Sequence, residues 1–335
     1  MQRRNQIETW LSGLWPGESF QLAPASADAS FRRYFRVSRG AAPTLIVMDA
    51  PPSHEDCRPW LKIQRVLHEA GAHVPEVIAQ DLDQGFLVIS DLGNATYLSI
   101  LDADNASFLY SDATATLIDI QKASKPGVLP EYDVALLQRE LDLFPDWFVA
   151  RHHGSPLPDA DRATLQKVFE RILAVNLAEP RVYVHRDYHA RNLMVIADET
   201  RRNPGVIDFQ DAVYGPISYD LVSLFKDAYV TWEEEIVLDW LVRYWEGARK
   251  AGLPVRADFA DFHRDYEWMG VQRHLKVLGI FARLYHRDGK DGYLQDMPQV
   301  AAYLRKACDR YDELKFIVRL LDRLENRQAQ AGYTF

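Results

Sequence analysis

The residues best suited to chemistry lie in one stretch, 182–210, which reads VYVHRDYHARNLMVIADETRRNPGVIDFQ. It places a carboxylate at Asp187, an amide five residues later at Asn192 and a second carboxylate at Asp208. Phosphoryl transfer needs a carboxylate that accepts the proton of an acceptor hydroxyl, and divalent metal that bridges the phosphate oxygens. Magnesium prefers hard oxygen ligands. The stretch therefore predicts phosphoryl transfer, with Asp187 as the catalytic base and Asn192 and Asp208 as magnesium ligands.

A short hairpin is predicted to bring the two magnesium ligands together. An apolar run at 193–196 and an apolar pair at 206–207 flank a polar turn, which is the pattern of two strands and their connection. Such a hairpin would return Asp208 to Asn192.

The tripeptide His-Arg-Asp occurs three times, at 185–187, 263–265 and 286–288. Only the first copy has an amide five residues later; the other two have Gly270 and Tyr293 at that spacing, and no Asp-Phe pair follows them at hairpin distance. We interpret the second and third copies as solvated helix surface. A zinc site at His185 and His189 is the alternative for the first copy, but zincins carry Glu after the first histidine, where this chain has Arg186.

Composition excludes several classes of protein. The 335 residues exceed the usual size of a single core, so two lobes are expected. A net charge of −9 argues against a general nucleic-acid binder. The longest aliphatic run, Leu45–Met48, is too short to cross a bilayer, and residues 1–17 lack the apolar core of a signal peptide, so we expect a cytoplasmic protein. Cys57 and Cys308 predict neither a disulfide framework nor a cysteine-rich metal site.

The first lobe is predicted to be an antiparallel sheet with two helices. A helix is expected over 6–15, strands over 20–22, 31–37, 44–50, 77–79 and 86–89, and a second helix that Asp56 caps and Gly71 ends. The polar break at SDLGNAT is read as a hinge. From 107 onward the pattern is helical, over 107–124, 134–152, 160–178, 218–230, 233–251, 257–287 and 297–328. The predicted class is α+β and bilobal, with a nucleotide lobe over 1–93 and a catalytic and acceptor lobe over 94–335.

The segments HRDYHARN and VIDFQDAVYGPISYDLVSL closely resemble the aminoglycoside phosphotransferase and choline kinase superfamily, a branch of the protein-kinase-like fold. Outside them, SFRRYFRV, LIVMDAPP, FLVISDLG and RELDLFPDWF resemble the bacterial anomeric sugar kinases that phosphorylate N-acetylmuramate and N-acetylglucosamine at C1 during cell-wall recycling. This second resemblance spans nearly the whole chain.

The resemblance implies a role for each matching residue. Asp187 is then the catalytic base, Asn192 and Asp208 hold magnesium, and His185 and Asp220 brace the catalytic loop. Without the resemblance, Asp220 is an acidic residue in the first turn of a helix. The backbone of the hinge, at Ser90, Asp91 and Leu92, would hold the adenine of ATP, or these residues would only pack.

The chain departs from the family pattern where the triphosphate is expected. Met48 or a neighbour occupies the third-strand position that normally carries lysine, and the loop SADASFRRYF lacks glycine. Arg32 and Arg33 are the nearest cations in sequence, and a guanidinium suits phosphate. Only one of the two can face the nucleotide on an alternating strand, and we favour Arg33. Ser30 would add a hydroxyl or a backbone amide.

Acceptor contacts are expected near the catalytic base and on the helix that contains RELDLFPDWF. The candidates are Arg186, Tyr188, His189, Arg191, Gln210, Asp211, Glu140, Phe144 and Trp147. Glu140, Phe144 and Trp147 recur at helical spacing, so their face lines either a pocket or the core.

The resemblance therefore implies a kinase that uses ATP and Mg²⁺ on a small sugar acceptor. We also expect a monomer, with no nucleic-acid or membrane partner. One alternative is a kinase of an aminoglycoside or of an amino alcohol such as choline or homoserine. Another, from a different class, is a regulatory module that binds nucleotide without turnover.

Overall fold

The computed structural model describes residues 2–27, 31–197 and 202–325. The chain forms two compact units, drawn from Met1–Ile100 with Asn192–Gln210 and from Leu101–Arg191 with Asp211–Phe335. The first border falls later in the chain than the predicted one after residue 93, and the segment 192–210 returns to the first unit. The functional division into nucleotide and acceptor lobes stays a prediction.

The elements alternate along the chain as follows. The strands of the described residues are β1 (Gln21–Ala27), β2 (Arg33–Ser38), β3 (Leu45–Asp49), β4 (Val77–Asp81), β5 (Phe86–Ser90), β6 (Arg181–Val184), β7 (Leu193–Met194), β8 (Gly205–Val206) and β9 (Val213–Pro216). The α-helices are α1 (Gln2–Leu14), α2 (Cys57–Glu69), α3 (Tyr97–Ile100), α4 (Ala106–Lys122), α5 (Val134–Leu143), α6 (Asp159–Leu177), α7 (Tyr219–Phe225), α8 (Glu234–Lys250), α9 (Phe259–Asp288), α10 (Met297–Cys308) and α11 (Lys315–Leu324).

The first unit is built on an antiparallel sheet with the strand order β1-β2-β3-β5-β4. Side chains alternate across a strand, so Val37 on β2, Val47 on β3 and Val88 on β5 share one face. Ile7 and Leu11 of α1 pack on that face, and all five are fully or almost fully buried. The five strands predicted from the sequence are therefore confirmed.

Helix α2 begins as predicted, because the Asp56 carboxylate accepts a hydrogen bond of 2.9 Å from the Arg58 amide. This leaves Pro59 in the first turn, where its missing amide costs little. Gly71 follows the helix with φ of +85°, which ends it. Trp60 of α2 lies against Phe209, with ring centroids 5.0 Å apart.

The predicted hairpin is present in the same unit. Strands β7 and β8 pair antiparallel, with Leu193 opposite Val206 and Met194 opposite Gly205. The Val206 amide also donates to the carbonyl of His73, at 2.8 Å. The segment between the two strands contains residues 198–201, which lie outside the described residues.

The second unit is mainly helical and centres on α9, which packs against α5, α6, α7 and α10. Its buried side chains include Trp268, Val271, Leu275 and Leu278, which form an apolar stripe along the helix. Strands β6 and β9 form a separate antiparallel pair. A sheet in one unit and helices in the other confirm the predicted α+β class.

Two predicted helices are interrupted in the structure, and the helix predicted over 218–230 is shorter, since α7 spans only Tyr219–Phe225. The segment predicted as one helix over 134–152 is the α-helix α5 followed by a π-helix at Phe144–His152, because Pro145 has no amide to continue the α-helical hydrogen bonds. The segment predicted over 297–328 is divided into α10 and α11 by a 3₁₀ turn at Asp312–Leu314. Beside that division, Arg310 and Tyr311 both bind Glu267 of α9. These are tertiary contacts, which a local sequence pattern does not predict.

Among the described residues, none of the helices is both long enough and apolar enough to cross a membrane.

Candidate active site

The loop that carries Asp187 follows β6 directly and belongs to the second unit. Arg186 has a φ of +77°, a left-handed conformation that non-glycine residues rarely adopt. The amides of His185 and Arg186 donate to the two carboxylate oxygens of Asp220, at 2.7 and 3.0 Å. Asp220 is completely buried in the first turn of α7. It therefore fixes the backbone on the amino side of Asp187.

The same loop is held through the carbonyl and the side chain of Arg186. Its carbonyl oxygen accepts from Nη1 of Arg273 at 2.7 Å and from the Ser223 hydroxyl at 3.3 Å. Its guanidinium forms a close ion pair with Glu140. A residue in a sparsely populated conformation persists when its surroundings determine it from several sides, as they do here.

The carboxylate of Asp187 is partly accessible, with 42% of its side chain exposed, and its Oδ1 lies 3.7 Å from Nη2 of Arg273. Burial by itself raises the pKa of this carboxyl. The positive charges of Lys276 and Arg273 outweigh that effect and hold the pKa well below its ordinary value. Asp187 is therefore ionised at neutral pH, as a proton acceptor must be.

Behind the loop lies a buried polar network that the sequence analysis did not identify. Lys276 of α9 donates to Glu140 at 3.0 Å and to the Tyr219 hydroxyl at 2.9 Å. The Tyr219 hydroxyl also accepts from Nη1 of Arg273, at 3.1 Å. The signal that would have found this network is the presence of Arg273 and Lys276 inside an apolar stripe.

Glu140 belongs to this network. Its side chain is 7% exposed and accepts from Tyr132 and Gln272, in addition to its contacts with Arg186 and Lys276. Burial raises the pKa of this carboxyl, but Lys276 and Arg186 lower it further than burial raises it. Both oxygens of Glu140 are bound by donors of the protein itself.

The π-helix after α5 supplies the other residues predicted from that segment. Phe144 is completely buried and its ring stacks on Phe148 at 5.3 Å. Trp147 is half-buried. The sequence allowed Phe144 to line either a pocket or the core, and the structure places it in the core.

Two of the residues predicted to contact the acceptor, Arg191 and His189, lie against the ring of Tyr229, which the sequence analysis did not identify. Arg191 is exposed and its guanidinium lies 4.5 Å from the centre of the Tyr229 ring. His189 packs edge-on against the same ring at 5.6 Å, and burial lowers its pKa to about 3, so its imidazole is neutral. Asp211 is exposed, and its carbonyl accepts from Arg186 at 3.4 Å. Tyr188 is buried and donates to the carbonyl of Ala113.

Asn192 and Asp208 lie together in the first unit. The Asn192 amide nitrogen is 3.3 Å from Oδ2 of Asp208, and Oδ1 of Asp208 accepts from Gln210 at 2.7 Å. Asp208 has a φ of +63°, so it shares the left-handed conformation of Arg186. These are the only two non-glycine residues with positive φ among the described residues.

This pair fits a magnesium ion. An amide and a carboxylate supply hard oxygen atoms, and Mg²⁺ is typically held by one or two such side chains together with phosphate oxygens and water. Within the described part of the chain no group of three or more His, Cys, Asp or Glu side chains is arranged to hold a metal. A magnesium ion here would therefore take its remaining ligands from the nucleotide and from water.

The residues predicted for the triphosphate already have partners within the first unit. Arg33 forms a close ion pair with Asp49, which also accepts from Arg3. Arg32 lies 3.7 Å from Glu55. Ser30 lies outside the described residues.

The strand position where lysine is expected is apolar, because Met48 is buried with 1% of its surface exposed. The hinge residues are ordered by local contacts. The amide of Ser90 donates to the carbonyl of Glu76, and Asp91 forms an ion pair with Arg36 and accepts from Thr44. Leu92 packs close to Gly205.

A cavity of about 210 Å³ in the second unit is lined by side chains of α8, α9, α10 and the segment that precedes α8, among them Trp232, Tyr266 and Tyr303. None of the residues predicted for catalysis, nucleotide or acceptor lines it.

Comparison with known proteins adds three findings. Residues 21–259 match the model of a family described as the phosphotransferase enzyme family. The chain is 48% identical to the N-acetylmuramate/N-acetylglucosamine kinase of Neisseria meningitidis over the whole of both chains. It is 51% identical to the enzyme of that name from Pseudomonas putida, over 91% of this chain and 88% of the relative.

Two solved structures share the fold. The choline kinase LicA from Streptococcus pneumoniae superposes with a TM-score of 0.65 at 14% identity, over 91% of this chain and all of that one. An ADP-bound aminoglycoside phosphotransferase, APH(2'')-Ib, superposes with a TM-score of 0.57 at 16% identity, over 89% of this chain and 96% of that one. Both confirm the fold expected from the sequence.

Proposed function

Because this chain belongs to the phosphotransferase enzyme family, we propose that it is an ATP-dependent kinase that phosphorylates the anomeric hydroxyl of N-acetylmuramate and N-acetylglucosamine. The chain is an enzyme of the kinase class, as its resemblance to relatives of 48 and 51% identity indicates over most of its length. Those relatives carry the names of the two sugars, and a role in peptidoglycan recycling follows from that substrate class.

The observation that carries the proposal is the ionised Asp187 on a loop fixed by Asp220 and Arg273. Asp187 orients the acceptor hydroxyl and accepts its proton as the bond from the acceptor oxygen to phosphorus forms. The bond from the γ-phosphorus to the bridging oxygen breaks, ADP leaves, and the proton passes from Asp187 to water. Asn192 and Asp208 hold Mg²⁺, which when bound neutralises the charge that develops on the phosphate oxygens.

An anomeric hydroxyl suits this base. The ring oxygen withdraws electrons from C1, so the anomeric hydroxyl is more acidic than the other hydroxyls of a sugar. A carboxylate with a depressed pKa is a weak base, and it is better matched to the more acidic hydroxyl.

The charges around Asp187 favour an acceptor that is neutral or negative. Arg186, Arg273 and Lys276 all lie beside it, and the carboxylates of Glu140 and Asp220 compensate part of their charge. A polycationic aminoglycoside or choline would be repelled by these cations. The same cations would attract the lactyl carboxylate of N-acetylmuramate. This attraction favours N-acetylmuramate over N-acetylglucosamine as the acceptor.

We extend the proposal to the nucleotide. The first unit would bind ATP through the hinge backbone at Ser90, Asp91 and Leu92. Arg33 would leave its ion pair with Asp49 and bind the triphosphate instead. The second unit would bind the sugar. A cytoplasmic location and a monomeric state remain predictions from the sequence.

The test is an acceptor panel. The purified chain is supplied with ATP and Mg²⁺ together with N-acetylmuramate, N-acetylglucosamine, choline, homoserine or kanamycin, and products are followed by ³¹P NMR. We expect an acid-labile sugar 1-phosphate from the two amino sugars alone. Phosphorylation of kanamycin or choline instead would overturn the substrate.

Two matched variants test the base. Asp187→Ala should lower kcat by about 10³-fold or more. Asp288→Ala, in the third His-Arg-Asp copy at the end of α9, should leave kcat unchanged. Nucleotide binding without turnover of any acceptor would instead support the regulatory module.

A further inference from the structure

Two buried cations on α9, Arg273 and Lys276, lie outside every segment that carries the family resemblance. Their side chains are 7 and 6% exposed. Buried arginine and lysine residues are rare unless their charges are compensated. They share the Tyr219 hydroxyl as an acceptor, but their other partners differ and distinguish what each one does.

Arg273 contacts the catalytic loop itself. Its Nη1 donates to the carbonyl oxygen of Arg186 at 2.7 Å, and its Nη2 lies 3.7 Å from Oδ1 of Asp187. One planar guanidinium therefore touches both the peptide that precedes the base and the base. A planar fork of donors can make two such contacts from a fixed position, whereas an ammonium acts as a point charge.

Arg273 is in turn held from behind. Its Nη1 also donates to the Tyr219 hydroxyl, at 3.1 Å, and that hydroxyl accepts from Lys276 at 2.9 Å. Lys276 is fixed by Glu140 at 3.0 Å. Lys276 therefore supports Arg273 through Tyr219, while Arg273 makes the contact with the loop.

Arg273 binds the carbonyl oxygen of the residue whose backbone conformation is unusual. Arg186 has a φ of +77°, and Asp220 binds the amides of His185 and Arg186 but not the carbonyl of Arg186. Arg273, together with the Ser223 hydroxyl, restrains the carbonyl side of Arg186. The direction in which Asp187 projects depends on both.

We propose that Arg273 is a positioning residue for the transfer reaction, which aims the Asp187 carboxylate at the acceptor hydroxyl. This rests on the proposed function only in requiring that Asp187 be the base. Arg273 takes no proton and touches no phosphate in this role. Its loss should therefore reduce the chemical step and leave the binding of both substrates largely intact.

The experiment measures kcat and the KM of each substrate in the full chain for Arg273→Gln and Arg273→Lys. Because misplacement of a catalytic group by about 1 Å costs about 100-fold, Arg273→Gln should lower kcat by about that factor, with both KM values within about threefold of wild type. Arg273→Lys keeps the charge and should recover about tenfold of the loss. Circular dichroism and thermal melting verify that each variant is folded.

The control is Arg264→Gln on the same helix. Arg264 is exposed and stacks on Trp268, and it lies nine residues or about 13 Å along α9 from Arg273. It should have no effect on kcat. It separates loss of the contact with the loop from a general effect of changing an arginine on α9.

The inference is overturned if folded Arg273→Gln keeps kcat within about twofold of wild type, or if its defect lies in KM. Should wild type prefer another acceptor, the substrate proposal fails, and the same variants measured with that acceptor still decide the role of Arg273.

Discussion

At the scale of single residues, the left-handed conformations of Arg186 and Asp208 mark the two turns that carry the proposed base and magnesium ligands. Outside glycine, such backbone costs about 1–3 kcal/mol at each residue and persists only where contacts determine it. Around Arg186 those contacts are the Asp220 carboxylate, the Arg273 guanidinium and Glu140. The arrangement stabilises one direction for the Asp187 side chain.

A substitution of Glu140 tests whether α5 binds the sugar or supports the loop that carries Asp187. In Glu140→Gln, Arg186 and Lys276 lose the carboxylate that compensates both. Removing one partner of a buried ion pair costs about 3–5 kcal/mol, and the retained amide should keep the loss at the lower end. We expect a loss of about 3 kcal/mol in the free energy of unfolding by urea titration, with the KM for sugar nearly unchanged.

The control for this prediction is Asp142→Asn, two residues further along α5, where the carboxylate accepts only from Gln138 among its described hydrogen bonds. It should leave stability and KM as they are. A tenfold rise in the KM for sugar without loss of stability in Glu140→Gln would assign Glu140 to the acceptor pocket instead.

At the scale of elements, α9 connects the core of the second unit to the base. Its apolar residues pack against neighbouring helices, and from the same helix Gln272, Arg273 and Lys276 reach the catalytic loop or Glu140. Their placement depends on how closely α9 approaches α5. That approach is set at Gly279, where an added Cβ would lie 2.5 Å from the carbonyl carbon of Leu143.

Gly279→Ala should therefore displace α9 from the junction between α5 and the π-helix. Backbone cannot yield as the end of a flexible side chain can, so we expect destabilisation of about 1–3 kcal/mol, and a decrease in kcat because Arg273 moves with the helix. Thermal melting and steady-state kinetics measure the two effects.

Gly13→Ala is the matched control, a helical glycine in α1 with no atom within 4 Å of the added Cβ. It should be neutral or stabilising by about 0.5–1 kcal/mol, because alanine is the better helix former. A Gly279→Ala variant as stable as Gly13→Ala would contradict the close packing of α9 at this point.

Much of the element pattern could be predicted from the sequence because it rests on local signals. The alternation of Leu45 and Val47 predicted a strand, and Asp56 and Gly71 predicted the ends of α2. The division between α10 and α11 could not be predicted, since the apolar spacing continues across it. Beside it, Arg310 and Tyr311 bind Glu267, which is distant in sequence. Pro145 was a local signal, and its effect on the helix was missed.

The same reasoning applies to the site. Spacing alone identified Asp187, Asn192 and Asp208, because the chemistry dictates the residue types at short separation. Arg273 lies 86 residues from Asp187 in sequence, and only folding brings the two together. Arg273 and Lys276 were hidden because residues on an apolar helix face are expected to be core.

At the scale of the whole molecule, folding buries charge outside the site as well. Glu179 follows α6 in the second unit and is 4% exposed, and its Oε2 accepts from the Ser218 amide at 3.1 Å. Burial raises the pKa of this carboxyl to about 8, and the nearby Asp265 adds to the effect. The folded chain therefore holds a proton that the unfolded chain releases above the ordinary pKa of glutamate.

This difference makes stability depend on pH. A carboxyl with a raised pKa in the folded state contributes fully below its ordinary pKa, and its contribution is lost as the pH rises toward about 8. Glu179→Gln replaces the protonated form by a neutral isostere. It should match wild type near pH 5 and exceed it at pH 8 by at least about 1 kcal/mol in the free energy of unfolding, since each pKa unit is worth about 1.4 kcal/mol.

Urea unfolding at both pH values measures this, with the exposed Glu170→Gln on α6 as a control that should not change. Equal pH dependence in wild type and Glu179→Gln would mean that Glu179 is ionised in the folded chain.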